Sequence, residues 1–337
     1  MVSTLLEQKI QDSYEVLRLS AEISKEYYQK PLIITYSGGK DSDVILQLAI
    51  ECLKMEDFEA VNSHTTVDAP ETVYHIRDKF KELNQMGIKT TIQYPHDKDG
   101  NAISMWSLIP KKQIPPTRFS RYCCEALKET TSPDRFIAMG VRESESKGRA
   151  NRDMFATQNE KRPDFKYFGT EHIREVFEDD KTRRLNGGGI EPNVEGAYDC
   201  VFISNAKKRE KTISNPIYKW TDNDVWEFIH ERKLKYNPLY DKGFRRVGCL
   251  GCQLASGKVM MRELDMYPKY KENYIKAFDR MLVQRRLAGK DDLTGKSGRQ
   301  RWIDGEAVYR WWVRDDATPG QMTFEDYEND KSDGRTI

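Results

Sequence analysis

The chain has 337 residues, enough for one sizeable α/β core with a smaller unit appended. Its 55 lysines and arginines against 54 aspartates and glutamates give a formal net charge of +1, which excludes a global field for nucleic acid but not a local basic groove. With no apolar run near the roughly 20 residues that span a bilayer and no apolar stretch of a secretory signal at the start, the expectation is a cytoplasmic protein without membrane contact.

Leu5, Ile10, Val16, Leu17 and Ile23 recur at helical spacing and predict a helix over residues 3–28, within an N-terminal region 1–30. The β-branched run Leu32–Tyr36 predicts a buried strand that turns at Ser37-Gly38-Gly39. Helical spacing follows over 43–54, then a strand at 58–62, a helix at 70–86, and strands at 88–94 and 136–141. Strands alternating with helices at these lengths imply βαβ units, so the expected fold is α/β, a Rossmann-like doubly wound parallel sheet. Residues 151–196 are charged and aperiodic, which fits a mobile surface insertion or a lid. Thr221 or Asp222 is placed to cap a helix running through His230, and a long helical stretch is expected over 260–287. The expected organisation is a nucleotide domain at 31–255, a smaller helical C-terminal region at 256–323, and a polar tail at 324–337, disordered in isolation.

Ser37-Gly38-Gly39-Lys40-Asp41-Ser42 lies between a strand and a helix. Glycines there let backbone approach an anion, and the amides opening the next helix, with its dipole, bind phosphate. Ser37 and Ser42 offer hydroxyls and Lys40 a mobile charge, whereas Asp41 suits helix capping or a magnesium-related role. The stretch Gly289–Ser297 imitates a Walker loop but has one residue too many between its glycines, and no strand precedes it.

The six residues 37–42 look like the pyrophosphate loop of enzymes that cleave ATP between its α and β phosphates. Met139–Ala150, with Gly140, Arg142 and Arg149, is similar to the strand-end motif of phosphoadenosine phosphosulfate reductases. Trp220–Ile229 and Asn237–Gly243 resemble that family's helix and nucleotide-closing turn. Over about residues 31–255 the chain thus resembles the phosphoadenosine phosphosulfate reductase family, with its adenine nucleotide alpha hydrolase-like fold. The resemblance implies ATP with Mg²⁺ bound by Ser37, Gly38, Gly39, Lys40, Asp41, Ser42, Thr65, Gly140, Arg142 and Arg149, and catalytic roles for Lys40, Asp41 and Arg142.

Cys123-Cys124 and Cys249-Leu250-Gly251-Cys252 supply four thiols in two tight pairs, while Cys52 and Cys200 read as core. Four thiolates suit a structural zinc or an iron–sulfur cluster, and unligated thiols or a redox pair remain open. Zinc pairs are commonly spaced by two to four residues, so an adjacent pair fits zinc less well. The set Cys123, Cys124, Cys249, Cys252 resembles the 4Fe–4S ligands of bacterial and plant adenylylsulfate reductases, with Arg121 and Arg245 or Arg246 placed to offset cluster charge.

Two departures narrow the expectation. Thr65–Thr72 lacks the Asp-Thr-Gly step usual in sulfonucleotide reductases and looks more like the branch containing DNA-phosphorothioation enzymes. The reductases' Glu-Cys-Gly-(Leu/Ile)-His segment is absent, and its thiolate is the nucleophile for the sulfonucleotide sulfur. The resemblance therefore implies an ATP pyrophosphatase that activates an acceptor, with DNA favoured, for sulfur delivered through the cluster. A cysteine desulfurase is the expected donor, and DNA-modification proteins the expected companions. The alternatives are a sulfonucleotide reductase using an external thiol and a non-catalytic nucleotide- and cluster-binding regulator.

Overall fold

A computed structural model describes residues 4–97, 99–118, 120–129, 131–132, 134–145, 183–185, 189–191, 201–206, 209–290 and 302–313. Arg149, Cys200, most of the 151–196 insertion and the tail lie outside the described residues. In chain order the elements are α1 (Thr4–Tyr28), β1 (Leu32–Thr35), α2 (Lys40–Cys52), β2 (Phe58–Ser63), α3 (Pro70–Gln85), β3 (Thr90–Gln93), α4 (Met105–Lys112) and α5 (Tyr122–Cys124), which continues as a π-helical turn at Glu125–Glu129. There follow β4 (Arg135–Ala138), the short antiparallel pair β5 (Arg183–Leu185) and β6 (Gly189–Glu191), β7 (Val201–Ala206), β8 (Arg209–Ser214), α6 (Asp222–Glu231), α7 (Gly257–Met266), α8 (Pro268–Leu287) and α9 (Gly305–Val313).

Six strands form one sheet in the order β3-β2-β1-β4-β8-β7, parallel from β3 to β8, with β7 antiparallel at the edge. This is the expected doubly wound α/β architecture. Leu32, Ile33 and Ile34 of the central strand are buried, as a strand covered on both faces requires. The chain leaves β1 toward β2 on one side and later returns to β4 on the other, so the order reverses at β1. Ile33 pairs with Ile137 and Ile34 with Ala138, and the Thr35 hydroxyl donates to the Ala138 carbonyl (3.0 Å). The carboxyl ends of β1 and β4 therefore emerge side by side at the switch point, where open α/β sheets bind ligands.

The chain forms two compact units. The first comprises Met1–Ser63, Pro70–Gln93 and Thr130–Val247, and its core joins α1, α2, α6 and the sheet through Leu17, Ile34, Leu48, Phe136 and Phe228. The second comprises His64–Ala69, Tyr94–Glu129 and Gly248–Ile337. Its core is helical, built on α4, α7, α8 and α9 around Ile109, Leu264, Tyr274, Phe278, Trp302 and Trp312.

The helix expected over 260–287 is two helices. Tyr267 sits at φ −125°, ψ 70° between α7 and α8. Pro268 disfavours the helical conformation in the residue before it and is well placed at the first position of a new helix. The helix expected from residue 43 starts earlier, at Lys40, so half of the glycine loop is already its first turn. Among the described residues no helix is long and apolar enough to cross a membrane.

Candidate nucleotide site and cysteine cluster

Gly38 takes φ +73°, the left-handed region that costs any other residue strain, and this turns the chain from β1 into α2. Gly39, not Asp41, is the N-cap of α2. The Ser42 hydroxyl folds back on the loop, accepting from the amides of Ser37 (3.3 Å) and Gly39 (3.2 Å) and donating to the Gly39 carbonyl (2.7 Å). From the turn after α6, Asn237 donates to the Gly38 carbonyl and to Thr72 Oγ1, both at 3.0 Å, tying the loop to α3. Beneath it the buried Tyr36 hydroxyl donates to Asp43 Oδ1 (2.6 Å).

The charged groups of this loop form one network. Arg142, just past the end of β4, donates through Nε to Asp41 Oδ1 (2.6 Å) and through Nη2 to Asp222 Oδ1 (2.8 Å). Lys40 Nζ stands 3.0 Å from the same Asp222 oxygen and 3.6 Å from Asp41 Oδ2. Burial pushes the Asp222 carboxyl up, but Lys40 and Arg142 prevail and hold it below the usual carboxylate range. Tyr240 completes the surround: its hydroxyl accepts the Lys40 N–H (2.9 Å) and its ring lies 5.7 Å from Lys40 Nζ. Desolvation raises the Tyr240 hydroxyl well above its ordinary value, so it stays protonated.

The structure thus brings Ser37–Ser42, Gly140 and Arg142 together in the first unit. Thr65 belongs to the second unit, where its hydroxyl hydrogen-bonds Cys249. Asp222 and Tyr240 are the site residues that sequence reasoning passed over. Their signals were present, since Asp222 was weighed only as a cap and Tyr240 only as part of a turn. Thr221 proves to be the cap, accepting from the Asp224 amide.

All four cysteines of the two pairs fall in the second unit, each partly buried. Leu250 N–H bonds the Val67 carbonyl (2.9 Å), which fixes the Cys249–Cys252 loop beside the 64–69 segment. The Cys123 thiol is pushed up by its bond to Cys124 and by burial. The same bond, helped by Arg121 and Lys128, lowers the Cys124 thiol from its ordinary value. Cys249 is pushed up by burial against the opposing charge of Lys128. Lys128 has its ammonium held charged by Cys249 first, then by Asp68, Cys252 and Cys124. A lysine in the π turn after Cys124 carries no sequence signal of its own, and it was missed for that reason. Arg245 and Arg246, read as further counter-charges, belong to the first unit. Among the described residues no three His, Cys, Asp or Glu side chains converge as a single-ion site. Arg121 and Lys128 make the surroundings of these thiols cationic. Cys52 differs: burial pushes its thiol up to about 12, the mark of an inert core cysteine.

A doubly wound sheet with a cationic glycine loop at its switch point has the architecture in which open α/β proteins bind ligands. The phosphoadenosine phosphosulfate reductase domain matches residues 31–255, and the chain belongs to that family. An uncharacterized protein of Methanocaldococcus jannaschii is 23% identical over 287 residues, covering 81% of this chain and 55% of that protein. A second from the same organism is 25% identical over 295 residues, covering 85% and 47%. The chain spans about half the length of these curated relatives. An adenosine 5'-phosphosulfate reductase of Anoxybacillus flavithermus is 41% identical over 51 residues, 15% of this chain and 22% of that enzyme. Among solved structures, the phosphoadenylyl-sulfate reductase of Candida auris in its phosphate complex has a TM-score of 0.42 at 13% identity, over 75% of this chain and 97% of that one. The U34-tRNA thiolase of Methanococcus maripaludis, with its 4Fe–4S cluster, has a TM-score of 0.35 at 13% identity, over 89% and 87%.

Proposed function

We propose that the chain is an ATP pyrophosphatase that activates an acceptor for sulfur transfer. The observation that carries this reading is the convergence of Lys40 and Arg142 beside the 37–42 loop at the β1–β4 switch point. The loop amides, with Mg²⁺, hold the phosphates of ATP. An acceptor oxygen attacks the α-phosphorus and the bond to pyrophosphate breaks, while Lys40 and Arg142 offset the charge that gathers on the phosphoryl oxygens. Asp41 orients Arg142 through its 2.6 Å bond to Nε. Sulfur then displaces the activated oxygen, which leaves in AMP; a cysteine desulfurase supplies it as persulfide and a thiol supplies the electrons. Arg149 joins the phosphate ligands, and the reducing cytoplasm is the compartment this chemistry needs.

Cys123, Cys124, Cys249 and Cys252 would hold a 4Fe–4S cluster, and zinc is the lesser alternative for an adjacent pair. When bound, the cluster supplies iron chemistry for handling sulfur. Thr65, on Cys249, would belong to the cluster's surroundings. DNA is the acceptor we favour, with DNA-modification proteins as partners, on the likeness of residues 65–72 to phosphorothioation enzymes.

Anaerobically purified protein incubated with α-labelled ATP and Mg²⁺ tests the reading, with AMP resolved from ADP. AMP with pyrophosphate is expected, and Lys40→Ala should lower the rate about 100-fold or more. ADP as product overturns it. Sulfite released from adenylylsulfate or phosphoadenylylsulfate with thioredoxin, and no AMP from ATP, establishes the reductase reading instead. Nucleotide binding without turnover leaves a regulator. The cluster is checked separately: about four irons per chain are expected, and one zinc in colourless protein rejects it.

A further inference from the structure

Two enclosed cations share one outward-facing carboxylate. The side chains of Lys40 and Arg142 are 6% and 4% exposed, whereas that of Asp222 is 61% exposed. Lys40 Nζ and Arg142 Nη2 stand 3.0 and 2.8 Å from the same oxygen, Asp222 Oδ1. Arg142 Nε is occupied by Asp41 (2.6 Å), and the Lys40 amide by the Tyr240 hydroxyl (2.9 Å). The segment from Asp222 to Tyr240 thus places an oxygen on the ammonium and on the amide of the same loop residue. Asp41 offsets one of the two enclosed charges, and a second anion at this point offsets the other. A carboxylate on the next helix is the one present.

That carboxylate is not what holds its helix in place. Thr221 caps α6 by accepting the Asp224 amide, and Asp224 pairs with Lys9 (2.5 Å) and accepts the Thr221 amide (2.6 Å). Asp222 spends its carboxylate on the two loop cations instead. A tethered carboxylate also acts at high effective concentration, so a free ion that would take its place must make contacts beyond those with the two cations.

We propose that Asp222 is a built-in competitor for phosphate. It occupies the oxyanion position between Lys40 and Arg142 until a polyphosphate displaces it, and so sets the site against small inorganic anions. The proposal rests on the reading that residues 37–42 bind the phosphates of a nucleotide. Phosphate or sulfate gains little by replacing a carboxylate already in place. A nucleoside triphosphate gains the loop amides and a second phosphoryl contact, and it wins the exchange.

Calorimetric titration of the full chain with inorganic pyrophosphate, at fixed ionic strength and without metal, compares the native protein with Asp222→Asn and Asp222→Ala. Both variants should bind pyrophosphate at least tenfold more tightly, with inorganic phosphate becoming measurable. The gain should disappear when Arg142→Met is added. Both variants should melt lower than native without anion and recover when pyrophosphate is added, because two enclosed cations lose Asp222 while α6 keeps its cap and its Lys9 pairing. Pyrophosphate affinity that is unchanged or weaker in both variants, or absent from all proteins, overturns the proposal. ATP is titrated separately. ATP binding by the native chain with no pyrophosphate gain in the variants defeats the role of Asp222 and leaves the nucleotide reading standing. A pyrophosphate gain without ATP binding by any protein does the reverse.

Discussion

At Gly140 the backbone of one loop lies against that of another. A Cβ there would stand 3.0 Å from the Asp41 carbonyl carbon and 3.1 Å from its oxygen, tighter than most real contacts, so the neighbouring backbone must give by a few tenths of an ångström. Gly140→Ala should therefore push the first turn of α2 away from Arg142. We expect a stability loss of about 1–2 kcal/mol by denaturant unfolding, together with weakened ATP binding. Unchanged ATP affinity would mean that the loop relaxes without cost. The glycine turn was legible because its chemistry is local: glycines between a β-branched run and helical spacing mark a turn from strand to helix. Asp222 was not legible as its counter-charge, because nothing in sequence spacing says which distant carboxylate reaches Lys40. Thr65 shows the converse. It was assigned from the motif around it, yet its hydroxyl reaches Cys249 in the second unit.

Among the elements, α1 shows how a helix with small polar residues can belong to a core. Ser13, Ser20 and Ser24 are buried. Ser13 Oγ donates to the Pro216 carbonyl (2.8 Å) and accepts the Trp220 indole N–H (3.1 Å), while Ser20 reaches Ser214 Oγ (2.9 Å). These short side chains let α1 approach the 214–220 segment closely. Ser13→Ala leaves a buried indole N–H and a carbonyl without this partner, and should cost about 1–3 kcal/mol in chemical denaturation. A loss below 0.5 kcal/mol would show water taking its place. The apolar spacing of α1 was readable, but its serines gave no sign of which strand end they meet. The break at Tyr267–Pro268 was readable in principle from proline alone. The periodicity on both sides of it concealed the stop.

For the molecule as a whole, one contribution to acid stability ties two strands of the sheet together. Glu59 on β2 is almost wholly buried, its carboxylate paired with Arg135 on β4 (2.5 Å) and Lys89 (2.9 Å). Burial raises its carboxyl, but the hydrogen bonds from Lys89 and Arg135 outweigh it and hold the group below its ordinary 4.5. The folded value being the lower one, this contribution is complete above about pH 4.5 and is lost as pH falls through the folded value. Glu59→Gln should cost about 3 kcal/mol at pH 7, the low end for breaking a buried pair because Lys89 is exposed. The gap from native should narrow below pH 4.5 in pH-resolved unfolding; a gap constant down to pH 3 would assign the effect to packing. The sequence alone determined the alternation of strand and helix, the glycine loop and the two cysteine pairs, because periodicity, turn chemistry and thiol spacing act over a few residues. Tertiary structure decided that 64–69, 94–129 and 248–337 gather as one unit and 215–247 joins the sheet. It also decided that Asp222, Tyr240 and Lys128 stand at the sites. Such pairings depend on which buried charge must find an opposite one in space, and no local rule encodes them.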